Sequence, residues 1–153
     1  MTDVGELKIS FLIDLLLIDE DFFSPDYDFI EMSNDKDIIF IILIKDKLIP
    51  VFENGNLEEF IKIVESEALT LHAMMMTSLP YFILMKPNTL QIINAIWKFR
   101  NETKIPVCFT LDAGANVHVL YPNDVKEKVL QFIKAELVGY CQNGQYLCDQ
   151  IGN

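Results

Sequence analysis

Basic residues are scarce in this chain: 12 Lys and Arg stand against 23 Asp and Glu, for a formal charge of −11 over 153 residues. No run of Lys or Arg occurs, and neutralising phosphates needs clustered cations, so a nucleic-acid footprint is excluded. The deficit is uneven, because residues 1–50 hold twelve acids and four bases whereas residues 51–153 hold eleven and eight. Cysteine is also sparse. Cys108, Cys141 and Cys148 are odd in number, lack CxxC spacing and share the chain with two histidines, which argues against a disulfide framework and a zinc site. A reduced, cytoplasmic protein is the simpler expectation. Long apolar runs are missing: residues 9–18 are interrupted by Asp14 and residues 38–44 number only seven, too few to span a bilayer. No cleavable signal with a basic start and small-residue exit is visible, so no membrane partner is expected. What is present is a globular composition, 51% apolar, in a length that suits one domain with a proper core.

Residues 7–17 mix apolar pairs with Lys8 and Asp14 and suit a strand or a short helix, while residues 19–37 are acidic, aromatic and turn-rich and read as loop. The β-branched run at 38–44 predicts a buried strand. Residues 45–52 are apolar, with Pro50 limiting any helix there. After the break at Glu53-Asn54-Gly55, Asn56 with Glu59 three residues on has the form of a capping box. Behind it Leu57, Phe60, Ile61, Val64, Ala68, Leu71, His72 and Met75 keep helical spacing to about Met76, with Glu58, Lys62, Glu65 and Ser66 on the opposite face. His72 is either a core-edge histidine bonded to a backbone carbonyl or water, or part of a ligand cleft. Residues 81–85 are apolar enough for a pocket wall or a brief strand. Pro87 opens a second helix, on which Leu90, Ile93, Ile96 or Trp97, and Arg100 continue the turn spacing. Pro122-Asn123-Asp124 starts a third, with Val125, Val129, Phe132, Ile133 and Leu137 as its buried face and Lys126, Lys128 and Lys134 as its wet one. Asn143-Gly144 signals a turn beside a last strand or hairpin.

Between the second and third helices lies the stretch that organises the chain. Two β-prone runs, 106–111 and 117–121, flank Asp112-Ala113-Gly114-Ala115-Asn116 and predict a hairpin with a polar tip. Asp112 is either a turn aspartate bonding its own backbone or a carboxylate placed at a strand end for chemistry, beside a backbone that can approach a ligand. The order strand, helix, helix, strand, strand, helix, strand predicts an α+β fold, an antiparallel sheet of about four strands packed against helices.

Thr110-Leu111-Asp112-Ala113-Gly114-Ala115-Asn116 resembles the Thr-Phe-Asp-Ala-Gly-Pro-Asn signature of mevalonate diphosphate decarboxylase, in the GHMP kinase superfamily. Ala68-Leu69-Thr70-Leu71-His72-Ala73 resembles the family helix carrying Asp-Ser-Asn-x-Phe-His-Ala, and the Trp97 helix resembles the one before the signature. Three separated motifs keep order and spacing from about Leu48 to the C-terminus. The resemblance implies a C-terminal domain of the GHMP kinase, ferredoxin-like type over 48–153. Residues 1–47 match nothing in the family and are a segment that could complete the sheet.

The activity the resemblance implies is ATP-dependent decarboxylation of mevalonate 5-diphosphate to isopentenyl diphosphate in isoprenoid biosynthesis, with Asp112 as the base or orienting group near the tertiary hydroxyl. Gly114, Asn116, His72 and Ala68 are the implied substrate-contacting positions, with no cofactor- or metal-binding residue on this chain. Ala68 stands where the family has a serine whose hydroxyl can contact the diphosphate, and Ala115 replaces the signature proline. No Pro-x-x-x-Gly-Leu-x-Ser-Ser phosphate loop occurs in these residues, so ATP and Mg2+ are expected to belong to the complete enzyme and the isolated chain to be inactive. A homodimer is an open expectation for a half-enzyme with an uncovered face. The alternative is a non-catalytic binding or interaction module that keeps the fold.

Overall fold

The computed structural model describes residues 11–16 and 47–151. In chain order these form strand β1 (Phe11–Leu16), a short helix α1 over 47–54, helix α2 (Leu57–Thr77), helix α3 (Pro87–Thr103) and strands β2 (Cys108–Leu111) and β3 (Val117–Pro122). A 3-10 turn (Asn123–Val125) then leads into helix α4 (Lys126–Phe132), a π turn (Ile133–Leu137) and strand β4 (Tyr146–Ile151). The strands make one four-stranded antiparallel sheet in the order β2-β3-β1-β4, the α+β architecture the sequence predicts. Its first strand is not the 38–44 run, which lies outside the described residues together with the 19–37 loop; the strand alternative for residues 7–17 holds over Phe11–Leu16.

Local chemistry explains the helix limits. Asn56 caps α2 by accepting the Glu59 N–H at 3.1 Å, and Glu58 and Glu59 place negative charge at the positive end of the helix. At the other end Thr77 donates its hydroxyl back to the Ala73 carbonyl, and Ser78 turns extended two residues before Pro80. Residues 81–85 that follow are not a strand, and Tyr81 and Ile83 are exposed. Pro87 is an early residue of α3, where a missing N–H costs nothing. Helix α1 contains Pro50, against the expectation that it limits a helix there. Asn143 and Gly144 both take left-handed backbone (φ 53° and 67°) and redirect the chain into β4, which pairs with β1 rather than closing a hairpin.

Helix α2 flanks β2, one of the two edge strands of the described sheet. Phe60 and Ile63 pack with Cys108, Leu120 and Val51, while Ala68 joins the larger cluster of Ile92, Ile96, Phe109, Val119, Phe132 and Ile133. Two faces of α2 are therefore buried, and Glu65, expected on its wet face, is only 8% exposed because it meets Trp97 and Arg100 of α3. On α3 the buried residues are Thr89, Ile92, Ile93 and Ile96, leaving Leu90 exposed. No described helix is long and apolar enough to cross a membrane.

Burial separates the cysteines. It pushes the Cys108 thiol up to about 12, with Glu65 adding to the effect and Arg100 opposing it, and burial also raises Cys141, whereas Cys148 is exposed. The thiolate is the reactive form. Brief iodoacetamide treatment of the folded chain at neutral pH is thus expected to add one carbamidomethyl group, on Cys148, and denaturation to raise the number to three by intact mass. Rapid native labelling of Cys108 would show that the α2–β2 contact opens.

Candidate active site

The connection between β2 and β3 begins after the Leu111↔Val117 pair. The Gly114 N–H donates to the Asp112 carbonyl at 2.7 Å, a tight local turn achieved without left-handed backbone at Gly114. Two helices hold this loop from behind. From α2, His72 places Nε2 3.0 Å from the same Asp112 carbonyl. From α3, the Thr89 hydroxyl donates to the Ala115 carbonyl at 2.7 Å and accepts the Lys86 N–H at 3.1 Å. Both side chains are buried, so each satisfies a carbonyl that would otherwise be costly to leave without water.

The Asp112 side chain points the other way and is 83% exposed. Its Oδ2 lies 2.9 Å from Nε2 of His118, which is carried on β3. Glu67 on α2 completes the acidic and imidazole surroundings. Burial raises its proton affinity, and the negative charge of Asp112 raises it further. The arrangement offers an incoming hydroxyl group a carboxylate whose backbone is fixed and whose side chain is reachable.

The structure brings Asp112, Gly114, Asn116 and His72 together at one loop. Gly114 is buried, Asn116 half-buried, and His72, 2% exposed, acts on the loop backbone as the carbonyl-bonded reading of this histidine expects. Ala68 is fully buried one turn before His72, in the core cluster with Leu111 and Ala115. Sequence reasoning did not single out Thr89, Glu67 or His118. The signal for His118 was hairpin arithmetic: with a connection of five residues, position 118 falls opposite Thr110, one pair in from the loop.

Burial lowers the proton affinity of His72, against the opposing pull of the Asp112 carbonyl, so the neutral ring with its proton on Nε2 is the form that donates to the loop. An unfolded histidine takes its proton near pH 6.5. The native ring resists, so the unfolded state binds more protons and His72 withdraws stability as pH falls from that point toward its lower native value. Glu67 works with the opposite sign, since its raised native affinity favours the folded state on acidification. Urea unfolding at pH 7.5 and 5.5 should therefore show a smaller acid-induced change in His72→Gln than in wild type; equal changes would refute the assignment of a neutral, buried His72.

The family model described as mevalonate 5-diphosphate decarboxylase C-terminal domain matches residues 45–151. A curated relative from Haloferax volcanii, phosphomevalonate decarboxylase, is 33% identical over 66 residues, a match spanning 43% of this chain and 20% of the relative. The solved mevalonate diphosphate decarboxylase of Legionella pneumophila is 27% identical with a TM-score of 0.70, over 90% of this chain and 44% of that one. The enzyme from Enterococcus faecalis, described in terms of a mevalonate diphosphate mediated ATP binding mechanism, shares the fold at 16% identity and a TM-score of 0.68, over 95% of this chain and 46% of that one. The chain thus spans less than half the length of each. The family match over residues 45–151, with the Asp112 loop inside it, shows that this chain belongs to the mevalonate 5-diphosphate decarboxylase C-terminal domain family.

Proposed function

We propose that this chain is the substrate-side domain of an ATP-dependent decarboxylase that acts on a 5-phosphorylated mevalonate. The observation that carries the reading is Asp112, an exposed carboxylate on a loop whose backbone is pinned by buried His72 and Thr89. A tertiary alcohol is a poor nucleophile. A carboxylate fixed beside it can hold the oxygen in line and accept its proton late in phosphoryl transfer, and positioning of this kind is most of what a protein contributes to that chemistry. Gly114 and Asn116 shape the same loop toward the substrate.

ATP and Mg2+ are read as belonging to the complete enzyme, a reading supported by the lack of a Pro-x-x-x-Gly-Leu-x-Ser-Ser phosphate loop in these residues. The nucleotide is assigned to a separate domain. Residues 1–47 are assigned to completing the sheet, a role supported by β1 lying between β3 and β4.

The substrate is taken as mevalonate 5-diphosphate, the compound named for the solved relatives. Mevalonate 5-phosphate is the second reading. It is favoured by the name of the Haloferax relative. The chain alone, given ATP, Mg2+ and either substrate, is expected to release no CO2, and joining it to the ATP-binding half of a family decarboxylase is expected to restore release. Turnover by the chain alone, or none by the joined protein, would overturn the proposal, the latter in favour of a non-catalytic module.

A further inference from the structure

Asp112 sits on a loop, yet the side chain that touches its carboxylate does not. His118 is carried by β3, which pairs with β2 on one side and β1 on the other, and it stands opposite Thr110 and Leu15 in the two registers. Its side chain is 22% exposed, against 83% for Asp112. A half-buried ring on a strand held from both sides therefore faces a solvent-exposed carboxylate whose own rotamer would otherwise be free. The contact is made by one oxygen, Oδ2, at 2.9 Å from Nε2.

The charges around Asp112 explain why such a partner is needed. Helix α2 contributes Glu67, whose interaction with Asp112 is repulsive, and His72, which reaches only the backbone carbonyl. Helix α3 contributes the neutral Thr89 hydroxyl, which holds Ala115. Among these, His118 alone offers a donor to the carboxylate.

We propose that His118 is the positioning residue for Asp112: its Nε2–H holds Oδ2, fixing the carboxylate plane and leaving Oδ1 directed to the substrate hydroxyl. The inference rests on the function proposed above for Asp112. A fixed oxygen shortens the search for the in-line geometry that proton acceptance needs, and misplacement on the ångström scale can cost about 10²-fold in rate. His118 does not touch the reacting atoms in this scheme and supplies no proton to them.

Two measurements test it. In the chain as it stands, nitrogen-15 correlation spectra of the neutral imidazoles should show His118 with its proton on Nε2. The downfield shift of an Nε2–H bonded to a carboxylate should be lost in Asp112→Ala and persist in Glu67→Gln; an Nε2–H signal indifferent to Asp112→Ala, or dependent on Glu67, would overturn the pairing. In the protein joined to its ATP-binding half, His118→Phe should lower kcat by up to about 10²-fold with little change in KM, and His118→Gln, which keeps an N–H donor, should recover much of the loss. Unchanged kcat in His118→Phe, or a rise in KM alone, would refute positioning. If the wild-type joined protein releases no CO2, the functional reading fails, and the spectra still decide whether His118 holds Asp112.

Discussion

Asp112→Asn, made in a protein that also carries the ATP-binding half, is expected to lower decarboxylation by roughly 10²- to 10⁴-fold while leaving the fold intact. The substitution keeps the size of the side chain, and its amide oxygen can still accept from His118 Nε2. The backbone carbonyl of residue 112 keeps both of its donors, His72 and the Gly114 N–H. What disappears is the negative charge and the ability to take a proton. Because the carboxylate is exposed and repels Glu67, its removal is expected to change unfolding free energy by about 0.5 kcal/mol or less, in the stabilising direction if at all. Turnover and urea midpoint measured on the same preparation separate the roles. Unimpaired turnover with a lowered midpoint would make Asp112 the turn aspartate of the simpler reading.

The parts of this structure that sequence patterns predict are those whose cause is local. Asn56 announces the start of α2 because the cap needs only residues three apart, Pro87 announces α3, and the β-prone runs at 106–111 and 117–121 announce the hairpin. Features that depend on a second element were hidden. Glu65 has the polar neighbours of a wet face, and its burial follows from α2 lying against both a sheet edge and α3. On α3 the apolar spacing favours Leu90 as the inward residue, but the residue turned inward is Thr89, because its hydroxyl answers the Ala115 carbonyl 26 positions away. Residues 7–17 left strand and helix open since Asp14 interrupts the apolar run, and pairing with β3 and β4 decides for a strand over Phe11–Leu16. At the candidate site the same division holds. The surroundings of Asp112 leave a turn aspartate open and the family signature is what implies a site there, whereas Glu67, Thr89 and His118 acquire meaning only once α2, α3 and β3 converge on the loop.

Beside the apolar clusters, one buried polar contact ties the elements of that convergence, and breaking it should be strongly destabilising. Glu65 accepts from Arg100 Nη1 at 2.6 Å and Nη2 at 2.9 Å, and from Trp97 Nε1 at 2.9 Å, while Arg100 Nη1 also reaches the Val107 carbonyl at 2.7 Å. The carboxylate hydrogen bond holds the Arg100 guanidinium above its usual proton affinity, against the opposing effect of burial. Helix α2, helix α3 and the entry to β2 are thereby tied at one point, a bidentate pair with a third guanidinium donor used on backbone. Glu65→Ala leaves a largely buried cation and an indole N–H without their acceptor, and is expected to cost about 3–5 kcal/mol, a large share of the roughly 5–15 kcal/mol typical of a whole domain. The loss comes mainly from the stranded partners, so Glu65→Leu combined with Arg100→Met should be less destabilised than Glu65→Ala alone, although it removes more charge. Urea unfolding of the variants measures this directly. A loss below about 1 kcal/mol in Glu65→Ala would mean that water reaches the pair as it reaches a surface salt bridge. Because His72 and Thr89 lie on the two helices this contact joins, loosening it should also release the Asp112 loop from behind. In the joined enzyme, Glu65→Gln, which keeps one acceptor oxygen where Glu65→Ala keeps none, should then retain more turnover than Glu65→Ala at a temperature where both remain folded.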